Sequence, residues 1–195
     1  MDIDQKIASV RDIYKNYKAE VQPYKEQAIC KKGCAFCCTH YGSLDITTLE
    51  GLIIYEHINR YKKPLRTKIE KAISQNQRRK ENGKAAQCPF LNKNNGCTVY
   101  AIRPFSCRQL YSLHDCREHG PTVHRRSVEV TKQTIARLQH LDDTGYSGHI
   151  SYILFILKNR EFRELYRNGG FDPVQIMPFG KTHGIVINRM MGKGT

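Results

Sequence analysis

Cys30-Lys-Lys-Gly-Cys34-Ala-Phe-Cys37-Cys38 concentrates four of the chain's eight cysteines within nine residues. Gly33 stands where a tight turn would aim several thiolates at one centre, because glycine adopts turn conformations that other residues avoid. The other four cysteines follow at Cys88, Cys97, Cys107 and Cys116. We expect later cysteines to return to the first group and close a metal or iron–sulfur site.

The rest of the composition bears on whether these cysteines are free to bind metal. The 195 residues suit one domain, and the mean hydropathy is −0.58. The longest apolar run, Tyr152 to Leu157, is too short to cross a bilayer, so no membrane partner is expected. The first residues are acidic, unlike a signal peptide, which predicts a cytoplasmic protein. In a reducing cytoplasm, clustered cysteines favour metal binding over disulfides.

The formal net charge of +14 has two interpretations. Thiolate ligands would offset part of it, and the remainder favours an acidic protein or nucleic-acid partner. Residues 60–84 are the most basic, with ten Lys or Arg against Glu70 and Glu81. Such a run is more often a solvated helix face than a binding site. A basic nucleic-acid-binding adaptor is therefore the third functional hypothesis, behind two that involve metal.

The hydrophobic pattern predicts a mainly α fold, a small helical domain with an irregular cysteine-rich metal-binding centre. We divide this domain into four parts: a leading helix in 1–29, a cysteine-cluster core in 30–120, C-terminal helices in 121–170, and a tail in 171–195. The core leaves room for one short hairpin, with Cys88-Pro-Phe-Leu91 and Cys97-Thr-Val-Tyr100 on either side of an Asn/Gly-rich turn.

Individual helices follow from apolar spacing and from capping residues. The first helix should run from about Asp4 to Gln22 and end or kink at Pro23. Leu44 to Ile46 is a short extended segment, and Thr47 and Glu50 have the spacing of a capping box before a helix over about 48–61. A basic helix from Pro64 to Asn82 follows. After a polar loop over 114–126, two C-terminal helices should cover about 128–144 and 150–168.

Thiolates are soft ligands and select zinc or iron–sulfur centres. Cys34-x2-Cys37 suits either, but the later cysteines are separated by eight, nine and eight residues, unlike the close second pair of a zinc ribbon. Three close thiolates with a remote fourth would suit a [4Fe–4S] cluster. The cofactor is therefore an iron–sulfur cluster or zinc, and the candidate ligands are Cys30, Cys34, Cys37, Cys38, Cys88, Cys97 and Cys107. The roles of Cys116, His40 and His114 stay open.

The cysteine segments also resemble known families. Cys30-x3-Cys34-x2-Cys37-Cys38, Cys88-Pro-Phe-Leu, Gly96-Cys97-Thr-Val-Tyr100 and Arg103-Pro-x-x-Cys107-Arg108 together resemble the YkgJ-type cysteine-cluster family, described as zinc- or iron-chelating. The resemblance covers roughly Cys30 to Cys107 and implies metal binding there. The family often begins C-x2-C where this chain has C-x3-C.

Two enzyme families share parts of this pattern. Flagellin lysine-N-methylases carry a similar cysteine-rich segment, and Cys30-x3-Cys34-x-Phe36-Cys37 matches the radical-SAM signature. The alternating strand–helix pattern of a radical-SAM barrel is absent from the sequence. The leading hypothesis is a non-catalytic metal-binding or electron-transfer protein. The alternative is an iron–sulfur enzyme of the methyl-transfer or redox type, and in either case Arg103 and Arg108 could donate hydrogen bonds to sulfurs or backbone carbonyls.

Overall fold

The fold is known from a computed structural model, which describes residues 1–31, 33–40 and 44–191. Within these residues the chain forms eleven α-helices: α1 Ile3–Lys25, α2 Phe36–His40, α3 Thr48–Asn59, α4 Lys63–Glu81, α5 Phe105–Arg108, α6 Cys116–His119, α7 Arg125–Leu141, α8 Ile150–Lys158, α9 Arg160–Arg167, α10 Met177–His183 and α11 Asn188–Met191. Single turns of 3-10 helix lie at Tyr100–Ile102 and Pro173–Gln175. The prediction of a mainly helical fold is confirmed.

Three short strands form one antiparallel sheet in the order β1 Asp45–Thr47, β2 Tyr146–His149 and β3 Val186–Ile187. Ile46 pairs with Gly148, and Ser147 pairs with Val186. The sequence indicated only the first of these strands. The other two are too short for an alternating pattern, and their pairing joins residues distant in the chain.

The leading helix begins at a capping box formed by Asp2 and Gln5. It continues through Pro23 to Lys25, two residues beyond the proline that we expected to end or kink it. Val21 is fully buried, and the Lys25 ammonium donates to the Arg108 carbonyl at 2.8 Å. These tertiary contacts hold the last turn in place despite the missing proline N–H.

Two hydrophobic clusters hold the helices together. One lies where α1 packs against α7 and includes Tyr17, Phe105 and Leu138. The larger one is built around α3, α4 and α8 and includes Phe90. Packing of the amphipathic faces, rather than helix propensity, stabilises such a fold.

The capping box predicted for α3 is present, with Thr47 accepting from the Glu50 amide at 3.2 Å and the Glu50 carboxylate accepting in return. The helix predicted from Pro64 to Asn82 is also present as α4, with Asn82 at its C-cap. The expected second C-terminal helix is instead split into α8 and α9 at Asn159. The Asn159 side chain accepts from the Phe162 amide at 3.1 Å and starts a new helix there.

Two further segments differ from expectation. The polar loop over 114–126 contains the single-turn helix α6, capped by Asp115. Residues 171–191, which we expected to be a tail, form α10, β3 and α11 as well as a 3-10 turn. They are held because Asn188 is buried and donates to the Asp142 carbonyl at 2.9 Å. The last part of the predicted tail, 192–195, lies outside the described residues.

Among the described residues, every helix is too short or too polar to span a membrane.

Candidate metal centre

Cys37 and Cys38 are consecutive residues of α2, the short helix that follows the Gly33 turn. Gly33 has φ +89°, and the Cys34 amide closes the turn by donating to the Lys31 carbonyl at 3.0 Å. Successive helical residues point about 100° apart. The two cysteines therefore face different surroundings, and the eight cysteines divide into two groups on either side of them.

The first group packs against the larger hydrophobic cluster, and we name its members the inner cysteines: Cys38, Cys88, Cys97 and Cys107. Cys88 is itself a member of that cluster and is only 8% exposed, while the other three are half-buried. One apolar surface thus collects thiols from α2, from the 88–97 turn and from α5.

Backbone hydrogen bonds fix the inner segments to each other. The Cys88 amide donates to the Cys38 carbonyl at 2.7 Å, which joins α2 to the 88–97 turn. Across that turn the Thr98 amide donates to the Phe90 carbonyl at 2.9 Å, and Leu91 forms an isolated antiparallel bridge with Cys97. The hairpin expected here is therefore reduced to a tight turn closed by one bridge.

Glu50 and Phe105 position α5, which carries Cys107. The Phe105 amide donates to the Glu50 carboxylate at 2.7 Å, and the Phe105 ring is buried edge-on against Tyr17 with centroids 4.7 Å apart. The α3 cap and the first helix thereby determine where Cys107 lies.

Two inner sulfurs accept hydrogen bonds from backbone amides two residues further on. The Phe90 amide donates to Cys88, and the Val99 amide donates to Cys97. Each bond favours the thiolate, although burial is the stronger effect at Cys97 and leaves its pKa raised. A backbone amide forms a stronger hydrogen bond to a thiolate than to a neutral thiol, so these amides favour the ionised form.

The side chains of Cys38 and Cys88 are joined by a hydrogen bond. A hydrogen bond from the Cys88 thiol lowers the pKa of Cys38 to about 7, against the opposing effect of burial. The same bond, together with burial, raises the pKa of Cys88. At Cys107, burial and the nearby Cys38 and Cys97 raise the pKa to about 12. Cys38 is thus the inner thiol most readily ionised.

Arg103 supplies positive charge beside this group. Its guanidinium lies 4.3 Å from the Tyr100 ring centroid and favours ionisation of three inner cysteines: Cys38, Cys97 and Cys107. Arg108 instead donates to the Arg103 carbonyl at 2.8 Å and lies over the Tyr14 ring. Arg108 therefore makes the predicted hydrogen bond to a backbone carbonyl, whereas Arg103 acts on the inner cysteines through its charge.

The remaining cysteines form a second group at the surface, and we name them the outer cysteines: Cys30, Cys34, Cys37 and Cys116. Cys30 and Cys34 are exposed, while Cys37 and Cys116 are half-buried. The Ile29 amide donates to the Ser112 carbonyl at 2.9 Å, and the Ser112 amide donates to the Cys30 sulfur. These bonds join the loop before α2 to the loop that leads into α6.

The outer thiols influence one another electrostatically. Burial raises the pKa of Cys30, and Cys34 and Cys116 raise it further. Burial and then Cys116, Cys30, Cys38 and Cys34 raise the pKa of Cys37 to about 11. Neighbouring thiolates thus oppose ionisation of Cys30 and Cys37, a repulsion that a bound cation would reverse.

The seven predicted ligands are therefore divided between the inner and outer groups, and Cys116 is the fourth cysteine of the outer group. In the described part of the chain, no three Cys, His, Asp or Glu side chains are already arranged to hold one ion. Binding would draw the sulfurs of a group closer together. The donor set nevertheless fits zinc or iron, since each group offers four soft ligands, and backbone amides are directed at the sulfurs of Cys88, Cys97 and Cys30.

The two histidines near the cysteines, His40 and His114, have surroundings that do not require a role as metal ligands. His40 stacks on Phe36 with ring centroids 4.3 Å apart, and its Nδ1 is 2.7 Å from the Thr39 hydroxyl. His114 is exposed, and its amide donates to the Thr122 hydroxyl. Neither ring is needed to complete a set of four thiols.

A cavity of about 600 Å³ adjoins Cys88 on the side of α4. Polar side chains of Asn76, Arg79 and Gln87 contribute to its lining. Asn76 donates to the Gln87 carbonyl at 2.7 Å, whereas its buried Oδ1 has no hydrogen-bond partner among the described residues. The cavity thus presents an available acceptor close to the inner cysteines.

Sequence reasoning missed three contributors to these groups. Glu50 was recognised only as a helix cap, Ser112 carries no pattern, and Cys116 was left without a role. A signal existed for Cys116, because it continues the nearly regular spacing of Cys88, Cys97 and Cys107. For Glu50 and Ser112 the partners are remote in the chain, so local spacing contained no signal.

Comparison with known proteins identifies the family. The model of the CxxCxxCC family, described as "Putative zinc- or iron-chelating domain", matches residues 29–140. The chain belongs to the CxxCxxCC family. No curated protein and no solved structure matches it.

The CxxCxxCC match contains all eight cysteines, from Cys30 to Cys116, together with most of α7. It agrees with the resemblance found in the cysteine segments and extends it beyond Cys107. Family membership supports chelation of zinc or iron, and it leaves the type of centre to the chemistry of the residues.

Proposed function

We propose that this CxxCxxCC protein binds zinc or an iron–sulfur cluster through the inner cysteines. The observation that carries the proposal is the convergence of four thiols from three separate segments on one hydrophobic cluster, with two of the sulfurs receiving backbone amides. Four thiolates satisfy a structural zinc ion, and they also satisfy a [4Fe–4S] cluster.

The surroundings support a bound thiolate centre. Cys38 ionises most readily, Arg103 offsets the accumulated negative charge, and the partly apolar setting limits access of water. When the sulfurs bind, the remaining thiols release their protons to solvent. Joined in this way, the four residues crosslink α2, the 88–97 turn and α5.

A closed set of four thiols favours a binding or electron-transfer role over an enzyme with an open iron. Radical-SAM enzymes leave one iron without a cysteine, whereas each group here contains a fourth cysteine. The radical-SAM-like trio of Cys30, Cys34 and Cys37 lies in the outer group, where Cys116 is the fourth. The described strands also pair antiparallel, unlike those of a parallel barrel.

The test is metal and acid-labile sulfide content of anaerobically purified protein, recorded with its visible spectrum. Zinc without colour would indicate a zinc centre, and about four iron and four sulfide per cluster with a brown chromophore would indicate a cubane. We expect Cys97→Ser and Cys107→Ser to lower the metal content per chain. Thr98→Ser, beside Cys97 and able to keep its hydroxyl bond to Phe90, should leave it unchanged. Full metal content in both cysteine variants would contradict the proposal.

A further inference from the structure

We propose that the outer cysteines, Cys30, Cys34, Cys37 and Cys116, form a second thiolate centre that binds its own zinc or iron, separate from the inner one. This inference rests on the proposed function, because it extends the same chemistry to the other half of the cysteines. Nothing in the family description distinguishes one centre from two.

The separation begins at α2. Because Cys37 and Cys38 are adjacent on a helix, their side chains diverge by about 100°. Cys38 packs against the larger hydrophobic cluster with the other inner cysteines, whereas the members of that cluster and the residues packed against it include none of the outer cysteines. One short helix thus contributes one ligand to each side.

A network of loop hydrogen bonds brings Cys116 to the same side as Cys30. The bond from the Ile29 amide to Ser112 fixes the chain next to Cys30. The Leu113 amide donates to the Thr122 carbonyl at 2.9 Å, and the Ser112 hydroxyl lies 3.1 Å from that of Thr122. This closes the loop over 112–122, within which Cys116 is the first residue of α6.

The charge around the outer cysteines suits thiolates. The Lys25 ammonium acts electrostatically on Cys30; it is fixed by the Arg108 carbonyl at 2.8 Å and lies 5.0 Å from the Tyr111 ring centroid. Lys25 thus supplies positive charge to the surroundings of one outer cysteine. A divalent ion with four thiolates carries net negative charge, which a fixed cation partly offsets.

The chemistry also distinguishes this group from a set of structural cysteines. Free cysteines that serve only packing are usually buried, but Cys30 and Cys34 are exposed. Cys30 accepts the Ser112 amide, and the ionisable groups that act on it are Cys34, Cys116 and Lys25. Two exposed and two half-buried thiols on neighbouring segments are suited to capture a soft cation from solution.

The experiment counts ions on the full chain. Protein stripped of metal and kept reduced is titrated with Co²⁺, whose absorption reports tetrahedral thiolate ligation, and then with Zn²⁺ as competitor. We expect about two ions per wild-type chain and about one in Cys34→Ser, in Cys116→Ser and in Cys97→Ser, since each variant removes one ligand set. The double variant Cys97→Ser/Cys116→Ser should bind neither.

Controls separate ligand loss from unfolding. His119→Ala changes an exposed residue of α6 and should keep both ions. Cys34→Ser is tested together with Cys116→Ser because Cys34 is exposed and its replacement leaves the hydrophobic clusters intact. A far-ultraviolet circular dichroism spectrum would verify that the variant is folded.

The outcomes distinguish this inference from the proposed function. Retention of both ions in Cys34→Ser and Cys116→Ser would overturn the second centre. So would one ion per wild-type chain that is lost in Cys97→Ser, a result that leaves the inner centre standing. Loss of all metal in every single variant would indicate one shared centre and overturn the separation. A wild-type chain that binds no ion would refute both proposals.

Discussion

Glu50 links three elements through one carboxylate. It caps α3 by accepting from Thr47, it accepts from the Phe105 amide at the start of α5, and it accepts from the Tyr14 hydroxyl on α1. Burial and the neighbouring carboxylate raise the pKa of Tyr14. A residue chosen by local capping rules thus also determines the position of the segment that carries Cys107.

Asp142 has a comparable role at the end of α7. Its buried carboxylate accepts from the Leu49 amide at 3.0 Å, from Asn188 at 3.1 Å and from the Tyr166 hydroxyl. Burial is the largest effect and raises its pKa to about 7, with Glu50 adding to the rise and Lys6 opposing it. Folded protein therefore holds a proton on Asp142 at pH values where the unfolded chain has lost it.

This predicts a pH dependence of stability with a definite sign. Between about pH 4 and pH 7 the folded state binds more protons than the unfolded state, so the free energy of unfolding should fall as pH rises. Asp142→Asn should flatten this decline. Its amide oxygen can accept from Leu49 and Asn188, and its NH₂ group can donate to Tyr166. Urea unfolding of metal-free, reduced protein across this range is the measurement.

Asp143→Asn is the matched control for Asp142→Asn. Partial burial opposes ionisation of Asp143, but the hydrogen bond and charge of Lys6 outweigh it and lower the pKa. Asp143 therefore stabilises the folded state at neutral pH, and this stabilisation is lost only as pH falls below the usual pKa of an aspartate. Its replacement should leave the decline in the free energy of unfolding above pH 4 in place. Equal slopes in wild type and Asp142→Asn would show that the buried carboxyl is not responsible.

At the scale of elements, the contact between α3 and α8 depends on Gly51. A Cβ built there would lie 2.7 Å from Ile153 Cγ2 and 2.9 Å from Leu157 Cδ1, and both of those side chains are fully buried. The backbones of the two helices approach so closely because position 51 has no side chain. The larger hydrophobic cluster, against which the inner cysteines pack, is built on this contact.

Gly51→Ala should therefore destabilise the protein. Alanine gains about 1 kcal/mol of helix propensity, but overpacking of a core contact costs about 1–3 kcal/mol, so we expect a net loss. Gly180→Ala in α10 is the control, because a Cβ there meets Ile185 at an ordinary 3.7 Å. Thermal unfolding of both variants should give a lower midpoint only for Gly51→Ala. An unchanged or higher midpoint would mean that α3 and α8 can move apart at little cost.

At the scale of the whole molecule, the helical framework and the cysteine segments have different sources of stability. The clusters between α1 and α7 and among α3, α4 and α8 consist mostly of apolar side chains. The loops that carry Cys30 and Cys116 are instead held in place by a few backbone hydrogen bonds. Cys30 is exposed and Cys116 is half-buried. Metal would therefore stabilise the loops more than the framework.

Removal of metal should loosen these loops while most of the helix content remains. Ligand binding at 1,000 times its dissociation constant stabilises a fold by about 4 kcal/mol, so chelation should also lower the unfolding midpoint. Limited proteolysis with mass spectrometry should find new cleavage near Cys30 and Cys116 after chelation, with little change in circular dichroism. A chelator already saturated with zinc serves as the control. Loss of all helix content, or an unchanged digestion pattern, would contradict this division.

Much of this organisation could be predicted from local sequence. The apolar spacing of α1, the capping box at Thr47 and the Asn82 stop of α4 act within a few residues, and all three are present in the structure. The density of cysteines indicated soft-metal chemistry, which membership of the CxxCxxCC family supports. These predictions succeeded because their causes lie within one helical turn or one short segment.

The grouping of the cysteines could not be predicted in this way. Adjacent Cys37 and Cys38 look like one motif in the sequence, but the helix turns them toward different surroundings. Which later cysteines meet them depends on the return of distant segments, through the bond of Cys88 to Cys38 and that of Ile29 to Ser112. The sequence by itself determined the ligand chemistry and the long helices α1, α3, α4 and α7, because both depend on residue type and short-range spacing. Tertiary structure decided the sheet and the division into two groups of four, because both depend on contacts between residues far apart in the chain.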